Sequence, residues 1–141
     1  MSNSLTAVSS RAVEDRVRRA TAPEQNQQID RQTDANILHY ANAMPAVIDE
    51  RIEELDREWD VERLLAVNAG TVALAGLLLG ATRDKKWLIL PGITVALLVN
   101  FNLRGWAPAL PLLRHLGVRT RSEIDRERAA LLDSKADRAG A

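Results

Sequence analysis

The chain has 141 residues, 19 basic and 19 acidic, for a formal net charge of zero and a mean hydropathy of −0.18. The absence of cysteine excludes disulfide frameworks, Cys-ligated zinc or iron–sulfur centres and thiol catalysis. The balanced charge, with no long basic run, argues against a dedicated nucleic-acid binder. Charge is unevenly spread: residues 64–82 and 87–103 carry none, so a lipid-like population and a very polar one share the chain.

Residues 1–33 are rich in Ser, Gln, Asn, Ala and Arg, and the first 60 residues lack the basic-then-apolar layout of a secretory signal. They read as a mobile polar arm. A short helix fits near Ser10–Ala20, with Val13 and Val17 on one face, followed by a linker over residues 22–28. From Thr33, a candidate cap, Ile37, Ala41, Met44, Ile48, Ile52, Leu55 and Trp59 recur at steps of three or four. Pro45 divides this stretch into two helices or kinks one, and fits the first turn of the second. The stripe is one residue wide and flanked by charge. Residues 34–63 therefore read as amphipathic, acidic helices lying on something, with Ile37, Met44, Ile48, Ile52, Leu55 and Trp59 as partner-binding candidates.

Residues 64–82 (LLAVNAGTVALAGLLLGAT) extend about 28 Å as a helix, close to the ~30 Å hydrocarbon thickness of a bilayer. Arg83-Asp84-Lys85-Lys86 makes a tight polar turn, and residues 87–103 (WLILPGITVALLVNFNL) return over about 25 Å. Neither run has a polar face, and the rest of the chain has too little apolar surface to wrap both. The fold class expected is all-α: a membrane protein with a two-helix transmembrane hairpin over residues 64–103 and amphipathic helices before and after it. Trp87 and Trp106 bracket the second run, where amphipathic rings favour the headgroup level.

Residues 104–121 hold four arginines and no acid. Arg104, Arg114, Arg119 and Arg121, with the two tryptophans, are expected to anchor an interfacial segment on anionic headgroups. Thr120 and Glu123 have the spacing of a capping box for a last helix over residues 122–133, with a frayed tail from Ser134. Seven Lys or Arg flank the runs on the side of the termini against three in the turn, which favours both termini in the cytoplasm.

On the first run Ala69, Ala73, Gly76 and Gly80 line one face; on the second, Gly92, Ala96 and Asn100 do. Such faces permit close backbone approach, either within the hairpin or against a second copy or another membrane subunit. Asn68, Asn100 and Asn102 lie near the boundary, where they can bond a headgroup or neighbouring backbone. His39 and His115 have no helical ligand partner, and no nucleophile–base pair or phosphate loop is present. No metal, cofactor or catalytic residue is expected. Residues 1–63 sum to −5 and residues 104–141 to +3, so the acidic stretch 49–62 is a candidate to lie beside the basic stretch 104–128.

The hairpin followed by GWAPALPLLR (residues 105–114) and GVRTRSEIDRE (residues 117–127), with DREWDVER (residues 56–63) before it, resembles the YgaP-like inner-membrane domain family. The similarity covers roughly residues 46–130. It implies a two-helix domain of the bacterial inner membrane. A cysteine commonly stands in the family's post-hairpin motif where this chain has Ala107. Some relatives are fused to a rhodanese sulfurtransferase. This chain has neither a rhodanese domain nor any cysteine, so the resemblance carries no sulfur chemistry over; the alternative reading is a membrane component associated with sulfur transfer or small-anion handling, with the enzyme on another chain. The reading preferred from the residues is a non-catalytic membrane subunit whose partners are lipids and other membrane subunits or a second copy.

Overall fold

The computed structural model describes residues 16–140, and every element among them is helical. A helical turn over residues 16–19 leads to α1 (Pro23–Ala41) and α2 (Pro45–Arg57). Then come α3 (Val61–Thr82), a 3₁₀ turn (Lys85–Leu88), α4 (Ile89–Arg104), α5 (Leu110–His115) and α6 (Arg121–Ala139). Helices α1, α2 and α6 pack together; α3 and α4 form an antiparallel hairpin beside them.

Local chemistry explains most boundaries. Pro23 and Pro45 each occupy the first turn of their helix, where a fixed φ helps and a missing N–H costs nothing. Asp60 caps α3 by accepting from the Arg63 N–H at 2.7 Å. The Thr120/Glu123 capping box is present, with the Thr120 N–H donating to Glu123 Oε2 at 2.7 Å. Gly105 ends α4 in the left-handed region (φ 71°), and a Cβ there would collide with the Arg16 backbone, so this position requires glycine twice over.

Three expectations about the polar segments are corrected. The stretch from residue 23 to 33 is neither linker nor mobile arm but the first half of α1, because Ile29 and Thr33 point inward at helical spacing and Val17 is fully buried. Thr33 caps nothing; it sits inside α1 with its hydroxyl accepting from Arg119 Nη1 at 3.3 Å. The tail does not fray at Ser134: α6 runs to Ala139, held by Lys135 on Asp49 (2.5 Å) and by Arg138 on the carbonyls of Ala41 and Ala43. Arg138 thereby satisfies the open C-terminal end of α1. The portion of the expected arm and Ser10–Ala20 helix that precedes residue 16, Val13 included, lies outside the described residues.

Two apolar clusters hold the parts together. Ile48, Ile52 and Leu55 of α2 meet Ile124 and Leu131 of α6 in the helical domain. Val17, Val61, Leu65, Phe101, Ala107 and Leu110 join the base of the hairpin to the segments before and after it. Full burial of an aliphatic side chain stabilises by about 1.5–3 kcal/mol. The three α2 residues proposed as partner-binding are therefore corrected: their stripe is covered by α6 of the same chain.

Two helical segments, Pro45–Thr82 containing α3 and Lys85–Arg104 joining the 3₁₀ turn to α4, are long and apolar enough to cross a membrane. Gly76 is buried where a Cβ would lie 2.6 Å from Pro91 Cδ, and Gly80 faces Leu88 in the same way. These glycines set the approach of the two helices.

Candidate functional site

The elements converge at the base of the hairpin, where arginines and glutamates from four segments interlock. Glu123, in the first turn of α6, accepts from Arg114 Nη1 at 2.7 Å and Nη2 at 2.9 Å, and also from Arg18. Arg18 reaches across to Asp30 of α1 at 2.7 Å. One turn further along α6, Glu127 accepts from Arg119 Nη1 at 2.5 Å and from Arg51 Nε of α2 at 2.9 Å. Arg119 grips Glu58 with its Nε and Nη2 at 2.8 and 2.5 Å. This lattice connects the N-terminal segment, α1, α2, the post-hairpin segment and α6.

Burial would push the Glu123 carboxyl up, but the Arg114 bond, the Thr120 N–H and the surrounding positive charge outweigh it and hold the group below its ordinary value. Glu127 is likewise opposed by burial and lowered by Arg119 and Arg51. Burial disfavours the charged form of Arg119 and Arg51, yet their carboxylates raise both above the usual guanidinium value. All four groups are charged at neutral pH.

Arg114 and Arg119 are thus corrected as lipid anchors. Arg114 is 1% exposed and Arg119 6%; neither can reach a headgroup through its carboxylate partners. Arg121 is half-exposed and pairs with Asp125 at 3.2 Å within α6. Arg104 is exposed at the end of α4, and Trp87 and Trp106 are each 44% exposed at opposite ends of the hairpin. The acidic and basic stretches do lie side by side, through Glu58–Arg119, Asp56–Arg128 and Asp49–Lys135.

The two small-residue faces do not meet. Ala69, Ala73, Gly76 and Gly80 turn toward α4, but α4 answers with Leu90, Pro91, Thr94 and Phe101. Gly92 and Ala96 are offset from Thr94 by two residues, about 200° around the helix, and are exposed; a Cβ at Gly92 meets nothing within 4 Å. Of the two expected roles for Gly92 and Ala96, packing within the hairpin is therefore not found. Asn68 and Asn102 donate to the carbonyls four residues earlier, and Asn100 Nδ2 donates to the Trp106 carbonyl at 3.0 Å, tying the post-hairpin turn to α4.

Of the remaining partner-binding candidates, Met44 is 71% exposed, Ile37 is half-buried, and Trp59 is partly exposed with Arg63 stacked over its ring at 4.6 Å. Among the described residues no group of three or more His, Asp or Glu is placed to hold a metal. Sequence reasoning missed Arg18, Glu58, Glu123 and Glu127 as a connected set. Their sequence signals were the capping box at Glu123 and, for Glu58, the opposed charge of stretches 49–62 and 104–128.

Comparison with protein-family models, curated proteins and solved structures finds no match to this chain.

Proposed function

We propose that the chain is a non-catalytic integral membrane subunit. In this reading α3 and α4 cross the bilayer, and the α1–α2–α6 domain sits at the cytoplasmic surface as a platform for assembly. One observation carries it. Of the apolar 18-residue stretch that qualifies each helix as a span, 6% and 11% is buried within the chain. A core helix of a water-soluble protein buries most of its surface; these two expose Leu74, Leu78, Ile89, Val95 and Leu103 outside their shared seam. Exposed apolar area on this scale needs a solvent of its own kind.

The bound on each side fits that placement. Asp84, Lys85 and Lys86 sit at one end and the ion-pair lattice at the other, with Trp87 and Trp106 half-exposed between. The outward Gly92–Ala96 face is smooth enough for a second helix to approach closely, which favours a second copy or another membrane subunit as partner. The resemblance to the YgaP-like family agrees with a bacterial inner-membrane setting.

Two measurements test the reading. After alkaline carbonate washing the chain is expected in the membrane pellet; recovery in the supernatant rejects insertion. Cysteines placed singly at Asp84 and Asp137 are expected to react with an impermeant maleimide from outside only at position 84. The reverse pattern inverts the topology.

A further inference from the structure

Between the end of α4 and the start of α6 the usual order of polarity is reversed. Residues 105–118 contain one formally charged side chain, Arg114, and it is buried. What this stretch turns outward is apolar: Trp106, Pro108, Leu112 and Leu116 are exposed, and His115 is the only titratable residue on the outer side. Leu112 and Leu116, one turn apart on α5 and its C-cap, are 62% and 68% exposed. A single exposed leucine is ordinary; a charge-free outer face with its one arginine turned inward is not. In water this arrangement leaves apolar area exposed while the guanidinium must be held by a carboxylate, here Glu123.

The segment also sits at a definite level. Gly105 turns the chain out of α4, and the Trp106 carbonyl then accepts from Asn100 Nδ2 at 3.0 Å. Asn100 lies four residues before the end of α4, about 6 Å back along the helix axis. Ala107 and Leu110 join one apolar cluster with Leu65 of α3 and Phe101 of α4. The chain after the hairpin therefore folds back against the ends of both apolar helices instead of hanging away from them. Its outward side continues the exposed apolar surface that α4 ends on at Leu103. In a bilayer this is the level of the polar boundary, a layer about 5–8 Å thick on each side of the hydrocarbon.

We infer that α5 docks on the bilayer by inserting Leu112 and Leu116 at the boundary between headgroups and acyl chains, and so seats the α1–α2–α6 domain on the membrane. The inference rests on the membrane-crossing reading of the hairpin. The attraction is apolar and not electrostatic, because Arg114 and Arg119 are spent on Glu123, Glu127 and Glu58. Docking therefore needs no anionic lipid and is insensitive to salt.

The chain has no native cysteine, so nitroxide labels can be placed singly in the full chain through Leu112→Cys, Leu116→Cys, Val95→Cys and Asp137→Cys, all exposed positions. The labelled chains are reconstituted in bilayers of phosphatidylcholine, with and without phosphatidylglycerol. Power saturation then compares collisions with oxygen, which enters lipid, and with a water-soluble nickel chelate. Val95 reads the span and Asp137 the water phase. Labels at 112 and 116 are expected to favour oxygen over nickel, as at 95 and opposite to 137, in both lipid mixtures and at low and high salt. Nickel access at 112 and 116 with position 95 shielded overturns the docking and leaves the membrane crossing standing. Few collisions with either reagent at 112 and 116 mean that a second copy or another subunit covers the face, which also overturns it. An oxygen preference that appears only with phosphatidylglycerol makes the attraction electrostatic and overturns it as well. Nickel access at position 95 rejects the insertion of the hairpin, and the docking with it.

Discussion

Arg114 and Glu123 face each other in two parallel hydrogen bonds of 2.7 and 2.9 Å, with side chains 0% and 6% exposed. Nine residues separate them, and the pair closes the left-handed turn at Gly117 (φ 80°) that reverses the chain from α5 into α6. Removing one member strands the other in a dry site. Arg114→Ala is expected to cost about 3–5 kcal/mol, read as lost stability in denaturant unfolding in detergent. The double replacement Arg114→Met with Glu123→Leu is expected to lose much less, because no charge is left without a partner. Equal losses in single and double variants would mean that packing, not charge, holds this turn.

Stability is expected to fall in acid and to hold at neutral pH. Glu123 and Glu127 have folded values below their ordinary ones, so their contribution is complete above the unfolded value near ~4.3. It is lost as pH falls through the lower folded values. Thermal unfolding against pH should be flat from pH 7 to about 5 and then decline. Glu127→Gln should reduce the steepness of that decline; an unchanged acid limb would remove Glu127 from the account.

Salt should act on one part of the lattice and spare another. Asp56–Arg128 and Asp49–Lys135 are substantially exposed, whereas Glu127 is 0% exposed where it meets Arg119 and Arg51. Screening reaches exposed pairs first. Hydrogen exchange in the last two turns of α6 is expected to quicken between low and high salt, while the amides around Glu123 and Glu127 stay protected. Uniform acceleration along α6 would contradict the division.

The α2 stripe gives a packing contrast. Ile48 is fully buried against α6, whereas Met44, four residues earlier, is 71% exposed. Ile48→Ala is expected to cost about 2–5 kcal/mol, and Met44→Ala less than about 0.5 kcal/mol. Thermal or denaturant unfolding measures both. A capture assay for membrane partners should show the opposite ranking if Met44 belongs to an interface.

Glycines in the hairpin should separate packing within the chain from packing between chains. Gly76→Val forces its side chain onto Pro91 Cδ, 2.6 Å from the new Cβ, and is expected to cost about 1–3 kcal/mol of hairpin stability. Gly92→Val meets nothing within the chain and should leave the monomer intact. Loss of a cross-linked oligomer in Gly92→Val alone would place the contact between copies on that face; an unchanged oligomer would place it elsewhere.

The hairpin was readable from residues 64–103 because a stretch without charge needs no partner to be recognised. The Pro45 break and the Thr120–Glu123 box were readable because each acts within one turn. The first half of α1 was not. Its inward positions are Ile29 and Thr33, too few and too polar to stand out among glutamines. Gly92 and Ala96 looked like a packing face because small residues at helical spacing form one, but which face of α4 turns inward depends on α3.

By itself the sequence determined where charge is tolerated: two runs with none, a capped helix after them, and acidic and basic segments on either side. Those features follow from local spacing and side-chain polarity. The tertiary structure alone decided what the charges do. Arg114 and Arg119 resemble headgroup anchors in a stretch without acids, and become internal struts because Glu123 and Glu127 fold back over them and Glu58 arrives from α2. The environment of a charge is set by residues distant in the chain, so burial and pairing cannot be read from neighbours in sequence.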